Sequence, residues 1–369
     1  MQTQLARDLG LEFPIFAFSH CRDVVAAVSR AGGMGVLGAL YFTPEELEME
    51  LKWIDNHVDG KPYGVDLVMP AKVVLPEGVN PDELESQLAG MIPQQHREWV
   101  EKVLAEYNVP PLPDDVPHAH QLLGWTDATA RPQIEIAFQH SPKLLVNALG
   151  PPPADIVDAC HERDMLVAAL ASSPRHAEKH REIGVDIVVA QGTEAGGHTG
   201  EISSVVLWPQ VIEAVAPAPV LAAGGIAQGS QIAAALAMGA QGVWTGSIWL
   251  TVAESDMTPL VLEKLFEADS TQTVRSRALS GKPARQLRTE WTDAWDREDC
   301  PGYLPMPMQF MLVADVMTRV ARANNRELTG MPVGQVVGMM NEARPVRDVM
   351  QRLVEEYIEA SERLAKLNA

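Results

Sequence analysis

The sequence predicts a single α/β domain folded as a (β/α)8 TIM barrel, with an insertion after the third strand and a lid segment after the eighth. Three observations carry this. Eight short apolar runs bounded by turn residues occur in series, at 13–18, 34–38, 63–69, 144–148, 166–171, 186–190, 219–223 and 242–246. Runs of that kind read as buried strands. Helical patterns of suitable length lie between most of them, which dictates parallel pairing through crossovers. The chain is also long enough: 369 residues hold a barrel of roughly 250 with about a hundred left for embellishment.

The elements follow in order. Positions 23–30 are helical after the first run, 43–57 opens with the helix-starting Thr-Pro-Glu-Glu, and 174–183 opens on Pro174. The exception is the connection 70–143 between the third and fourth runs, which contains Pro110-Pro-Leu-Pro113. A second excess lies at 251–345, with Ser280-Gly-Lys-Pro-Ala-Arg285, a Trp-rich polar stretch to Asp299, and the proline-bounded segment 301–307. Both are expected to be lid segments over the open end of the barrel. Residues 346–368 then form a terminal amphipathic helix. There is no internal repeat beyond the strand-helix alternation and no low-complexity tract.

Composition narrows the class of function. Lys and Arg total 29 against 49 Asp and Glu, a net charge of −20, and no cluster of Lys and Arg stands out. Long-range electrostatics therefore disfavour nucleic acid and anionic membranes. Cys21, Cys160 and Cys300 are widely spaced and form no Cys-x-x-Cys pair, which points to a reducing compartment and no metal site. The start of the chain has no apolar run of signal-peptide type, and the most apolar long stretch, 219–250, is broken by glycines and glutamines. A cytoplasmic protein acting on a small molecule is expected.

The most informative segment is Gln191-Gly-Thr-Glu-Ala-Gly-Gly-His-Thr-Gly200, which directly follows the sixth apolar run. A loop at a strand's end is where barrel enzymes keep their chemistry. Glycines let the main chain approach a ligand closely, and an imidazole is readily set to move a proton near neutral pH. A planar ligand on the loop with His198 as a base above it follows from those residue types. A second glycine segment has Gly224 and Gly225 after the seventh run and Thr245-Gly246-Ser247 after the eighth. Two adjacent strand ends with free N–H groups and a helix start form a phosphate cradle, in the position where barrels usually bind phosphate. The dinucleotide fingerprint G-x-G-x-x-G is absent.

The decapeptide at 191–200 resembles the signature of the nitronate monooxygenase family, formerly 2-nitropropane dioxygenases. The likeness extends to Ala31-Gly-Gly-Met-Gly-Val-Leu-Gly38, to the second glycine segment and to Gly334-Gln335. Flavin-dependent enoyl-acyl-carrier-protein reductases and certain NAD(P)H:quinone reductases share the fold and much of this motif. The resemblance implies an FMN barrel in which Gln191 and Gly196, with Gly197 and Gln335, contact the cofactor. It also implies that His198 acts on the substrate as base or hydrogen-bond donor. The first strand departs from the family's Ala-Pro-Met: Phe16-Ala-Phe-Ser-His-Cys21 keeps Ala17 as a cofactor position and brings His20 near the mouth, as a second acid or as a cap for the next helix. Asp66 stands where the family commonly has a flavin-binding Asn, and an ionised carboxylate cannot donate. Glu194 is read as holding the loop through backbone N–H groups.

The resemblance implies oxidation of a nitronate or nitroalkane with O2 to a carbonyl compound and nitrite. The alternative is reduction of a quinone or enoyl thioester by NAD(P)H, which the bulk of 70–143 favours. A third reading is a barrel without catalysis that serves as a binding subunit, against which His198 and both glycine segments argue. A homodimer is compatible with all three.

Overall fold

The computed structural model describes residues 1–69, 84–116, 127–140 and 142–367. Its strands are β1 Ile15–Ser19, β2 Met34–Gly38, β3 Tyr63–Leu67, β4 Leu144–Asn147, β5 Leu166–Ala171, β6 Ile187–Gln191, β7 Gly197–His198, β8 Val220–Ala223, β9 Gly242–Thr245, β10 Thr273–Ser276 and β11 Ala284–Leu287. Eight of them, β1-β2-β3-β4-β5-β6-β8-β9, close into a parallel barrel, and β10-β11-β7 form a separate antiparallel sheet. All eight expected runs are barrel strands. The first is shifted to Ile15 because Pro14 has no N–H to give; its carbonyl instead accepts from Val243 N at 2.9 Å. The third stops at Leu67, where the chain turns and Met69 N donates to Asn147 Oδ1 at 2.9 Å.

Alternation sorts the side chains into layers. Phe16, Met34, Val36, Leu144, Val146, Ala168, Ile187, Val189, Leu221, Ala223 and Trp244 form one apolar cluster inside the barrel. The short N-terminal helix Gln4–Asp8 adds Leu5 and Ala6 to that cluster and plugs one mouth. Outward-facing residues such as Val65, Leu67, Val188 and Ala190 pack under the helices. Thr43 caps helix Pro44–Asp55 in a full capping box with Glu46, as Thr-Pro-Glu-Glu predicts. The terminal helix Val346–Leu367 lies against Gly229–Ala237 and Arg22–Arg30, and so closes the helical ring. It comes very close there: a Cβ on Gly229 would stand 2.1 Å from Leu353 O.

The two segments expected to be lids share an apolar core of their own. Helices Leu84–Met91 and Gln94–Glu106 pack on Met308–Arg322 through Trp99, Val103, Leu104, Leu312 and Val316. Trp291 and Trp295, expected in a polar stretch, are 1% and 2% exposed within this core, a correction that follows from the long-range partner the insertion supplies. Parts of the insertion, at 70–83, 117–126 and 141, and residues 368–369 lie outside the described residues.

The last helix before β4, Asp127–His140, is fastened by its terminal histidine: His140 Nδ1 lies 2.6 Å from Asp55 Oδ2, and Nε2 lies 2.7 Å from Glu48 Oε2. Burial opposes the imidazolium, but hydrogen bonds to both carboxylates and their charges raise its pKa overall. A raised folded pKa gives stability that is present below the unfolded value of about 6.5 and lost as pH rises through the folded one. Wild-type protein is therefore expected to melt a few degrees above His140→Gln at pH 6, by roughly 1–4 °C on the usual scale. The gap should close by pH 9 in calorimetric melting curves, and a gap constant with pH would show that the charge is not involved.

Candidate active site

The C-terminal mouth of the barrel is capped by two polar inward positions. On β3 the outward residues are Tyr63, Val65 and Leu67, so Asp66 points in; on β6 the outward ones are Val188 and Ala190, so Gln191 points in. Asp66 is 4% exposed, and its Oδ1 has no hydrogen-bond partner. Burial holds its carboxyl well above the usual carboxylate range, and an Ala148 N–H draws it only partly back. Burial thus favours the protonated form, the one that can donate a hydrogen bond.

Gln191 leads into a loop of enforced geometry. A Cβ on Gly192 would sit 2.1 Å from Ser204 Oγ, and one on Gly196 would sit 2.9 Å from Gly334 N, so any larger residue would push the loop off its neighbours. Glu194 fixes it. Its Oε2 accepts from Ser204 N at 3.0 Å and from Ser204 Oγ at 2.8 Å, at the start of helix Ser204–Val215. A carboxylate at a helix N-terminus satisfies an orphan donor and the dipole together, which is the structural role expected of it. The Glu194 carbonyl accepts from Gln335 N at 2.9 Å, and Gly334 N donates to Ser247 Oγ at 2.9 Å. Of the predicted positions, Gln335 and Gly225 are thereby brought against Glu194, whose Cβ is the nearest neighbour, at 3.8 Å, of a Cβ built on Gly225, and Gly196 and Ser247 are brought against Gly334.

His198 lies on β7, held by pairing with β11 at Ala284. Its Nδ1 is 3.3 Å from Pro283 O and its Nε2 is 3.4 Å from Ser280 Oγ. Nδ1 donating to the carbonyl leaves Nε2 as the basic nitrogen. Burial lowers the pKa, the Pro283 bond raises it and Lys282 lowers it again, with a net downward shift, so the ring is neutral at pH 7. The partners are on the segment after β9, not on the glycine loop itself. Sequence reasoning quoted 280–285 but missed its pairing with the loop; the signal was two short polar-apolar runs, 273–276 and 284–287, flanking a Ser-Gly turn.

Two predicted positions sit differently. Ala17 faces outward into the layer under the helices, so only its backbone is available to a ligand. Thr245 is 3% exposed, and its hydroxyl donates to Phe16 O at 3.1 Å while accepting from Trp249 Nε1 at 2.9 Å. That leaves Gly246 and Ser247 as the side of the turn open to the mouth, next to Gly224 at φ +93° and Gly225 at φ +72°. His20 does not cap a helix; its Nδ1 is 2.7 Å from Gly38 O, its ring meets Phe18 edge-on at 5.1 Å, and burial lowers its pKa. Among the described residues no group of three or more His, Cys, Asp or Glu could hold a metal ion, and no helix is long and apolar enough to cross a membrane.

The family model described as nitronate monooxygenase matches residues 12–356. The chain belongs to the nitronate monooxygenase family. It is an oxidoreductase enzyme, as the sequence predicts. A Mycobacterium tuberculosis protein whose name assigns it only provisionally as a monooxygenase is 51% identical over 97% of both chains. A probable nitronate monooxygenase of Staphylococcus haemolyticus is 28% identical over 96% of each. Among solved structures, the nitroalkane oxidase of Streptomyces ansochromogenes superposes with a TM-score of 0.81 at 26% identity, over 97% of this chain and 99% of that one. FabK of Thermotoga maritima gives 0.75 at 26%, over 100% and 99%.

Asp66 gives a test that needs no ligand. A carboxyl whose folded pKa is raised costs stability as pH climbs above its unfolded value of about 3.9. Asp66→Asn is expected to melt close to wild type at pH 4 and a few degrees higher at pH 7, by roughly 2–4 °C for each kcal/mol relieved. A variant less stable at both values would mean that Asp66 is ionised and paired.

Proposed function

We propose that the protein is an FMN-dependent oxidoreductase that oxidises nitronates, and nitroalkanes that it first deprotonates, with O2 to a carbonyl compound and nitrite. The observation that carries this is His198: a half-buried, neutral imidazole whose Nδ1 faces the Pro283 carbonyl, which leaves Nε2, 3.4 Å from Ser280 Oγ, as the basic nitrogen. The family and the whole-chain likeness to a nitroalkane oxidase support it. FMN suits the residues present. Gly224, Gly225, Gly246 and Ser247 offer N–H groups and a hydroxyl to its phosphate, and Gln191 and the unpartnered Asp66 offer polar contacts to its ring. Ala17 and Thr245 add backbone, and Gly196, Gly197 and Gln335 wall the loop side. When bound, FMN supplies the two-electron acceptor that O2 regenerates.

The chain's own work is then protonic and positional. His198 Nε2 takes the α-proton of a nitroalkane, and the Nδ1–H bond to Pro283 steadies the imidazolium that results. The neutral Asp66 carboxyl donates where an ionised one could not. His20, neutral and fixed to Gly38, gives the opposite side of the mouth a second acceptor nitrogen. The alternative, reduction of a quinone or enoyl thioester by NAD(P)H, draws support from the equally complete likeness to FabK.

Replacing His198 by Asn is expected to keep the fold and the bound flavin and to lower turnover of a neutral nitroalkane by ~10²- to 10⁴-fold, the usual contribution of positioned proton transfer. The loss should be smaller with a preformed nitronate, whose proton is already gone. Equal losses would leave His198 a binding role only. Anaerobic titration of wild type separates the two chemistries: bleaching by a propyl nitronate but by neither nucleotide supports the oxidase reading, and bleaching by NADH or NADPH supports the reductase.

The cofactor has its own test. Gly225→Asp puts a carboxylate where the phosphate charge is expected and forces φ +72° on a non-glycine residue. Heat-released ligand from wild type should chromatograph as FMN, and the variant should release none; FAD in the wild type would reject the assignment.

A further inference from the structure

The segment that positions His198 is electrostatically unlike the rest of the chain. Between Val274 and Thr289 it carries Arg275, Arg277, Lys282, Arg285 and Arg288 and no acidic residue, although the protein as a whole has a charge of −20. The expectation that no basic cluster stands out is corrected here: the five cations fall within the fourteen residues Arg275–Arg288, and the β10–β11 pairing sets Arg275 across from Arg285. Arg288 is paired with Asp293 at 2.9 Å. Among the described residues the other four make no ion pair. Elsewhere arginines find carboxylates readily, as Arg319 does with Glu101 and Arg326 does with Glu263, both at 2.6 Å.

The hairpin makes the imbalance worse. Arg275 stands directly opposite Arg285 in the β10–β11 register, and Arg285 is opposite Gly197, next to His198. Like charges directly across a ladder are destabilising. Arg285 is 9% exposed, and the Nε of Arg275 is buried without a partner. Burial lowers the Arg285 pKa and the Arg275 charge lowers it further, with Glu194 only partly compensating. Arg285 does brace the glycine loop, through Nε to Thr193 O at 2.8 Å, and Arg275 does so through Nη2 to Thr199 O at 3.1 Å. Those are bonds that a neutral donor could make, so bracing does not explain four positive charges. Lys282 braces nothing: it is exposed on the turn and adjoins the Pro283 carbonyl that holds His198. The turn is rigid as well, with Gly281 N bonded to Arg277 O at 2.9 Å and the Ala278 carbonyl bonded to Gln309 Nε2 at 3.2 Å.

Local rules are broken in this way where a ligand supplies the missing partner. We propose that Arg275, Arg277, Lys282 and Arg285 form an anion subsite beside His198 that receives a phosphate group, carried by the oxidisable or reducible substrate or by a nucleotide electron donor. The inference rests on the reading of this mouth as an oxidoreductase site and names the second ligand chemistry it is built for. A phosphate suits it better than a monoanion, since Arg275 and Arg285 face each other across the ladder, Lys282 adjoins the carbonyl that holds His198, and a phosphate offers several acceptor oxygens.

The test uses the flavin-loaded wild-type enzyme and two matched pairs of ligands, NADPH against NADH and an acyl-CoA against the same acyl group on pantetheine. Calorimetric titration should show at least tenfold tighter binding of the phosphate-rich member of one pair, weakening with added salt. The pair that shows it identifies the source. The double substitution Arg277→Glu with Lys282→Glu should abolish the preference, and Arg277→Gln with Lys282→Gln should reduce it with less risk to the fold, checked by melting temperature. No preference in either pair overturns the proposal. Loss of bound flavin from the glutamine variant also overturns it, because the cations would then serve the cofactor's own phosphate. Oxidation of a small uncharged-tail nitroalkane by wild type is measured alongside; its absence would sink the nitronate reading and leave the binding result standing.

Discussion

The mouth of this barrel hangs on Glu194. Its carboxylate occupies the N-terminus of helix Ser204–Val215, its carbonyl accepts from Gln335, and its Cβ stands over Gly225. One residue thus ties the loop after β6 to the end of β8 and to a segment 140 residues later in the chain. A hydrogen bond to a charged group contributes about 1.5–3 kcal/mol, and a partly buried carboxylate at a helix end is at the strong end of dipole effects. Because the surrounding glycines leave no room for displacement, the loop has one arrangement in which these bonds can form. The backbone is therefore fixed before any ligand arrives, which is what preorganised chemistry needs.

The histidine depends on a second, longer-range constraint. Its two-residue strand would not persist alone; it exists because β11 adds a ladder to it and β10 backs β11. That hairpin is in turn held by the apolar core shared by the insertion and the segment after β9, where Ala278, Trp291 and Trp295 pack with Trp99 and Val103. The parts of the chain that are not barrel thus set where the imidazole stands. They also set what surrounds it, including the neutralising burial that leaves Nε2 basic.

This division explains what could be seen in the sequence. Buried parallel strands read as continuous apolar runs because both faces are covered, and all eight were legible for that reason. So were the glycines, which cluster at strand ends, although the contact that requires Gly196 comes from Gly334 far along the chain. Side-chain direction was not legible at Ala17 or Thr245, where a one-residue difference in alternation decides whether a group faces the mouth or the helices. Neither was the burial of Trp291 and Trp295, because it depends on partners brought from far along the chain. Ser280 and Pro283 were read only as part of a lid segment, and their contact with His198 is a tertiary fact.

Asp66 shows how far a single substitution can mislead when its surroundings are unknown. An aspartate in place of an amide removes a donor in water, where the carboxyl is ionised. Inside the barrel the comparison inverts. With Oδ1 unpartnered and the side chain surrounded by the strands' inner face, ionisation would place an unpaired charge in a poorly solvated space, so the protonated form is favoured. A carboxylic acid then has one donor and one free acceptor on the same planar frame as an asparagine side chain, minus one hydrogen. The difference that remains is titratable. An amide donates at every pH, whereas Asp66 donates only while it keeps its proton, so the residue couples the polarity of the mouth to proton activity in a way that the amide cannot.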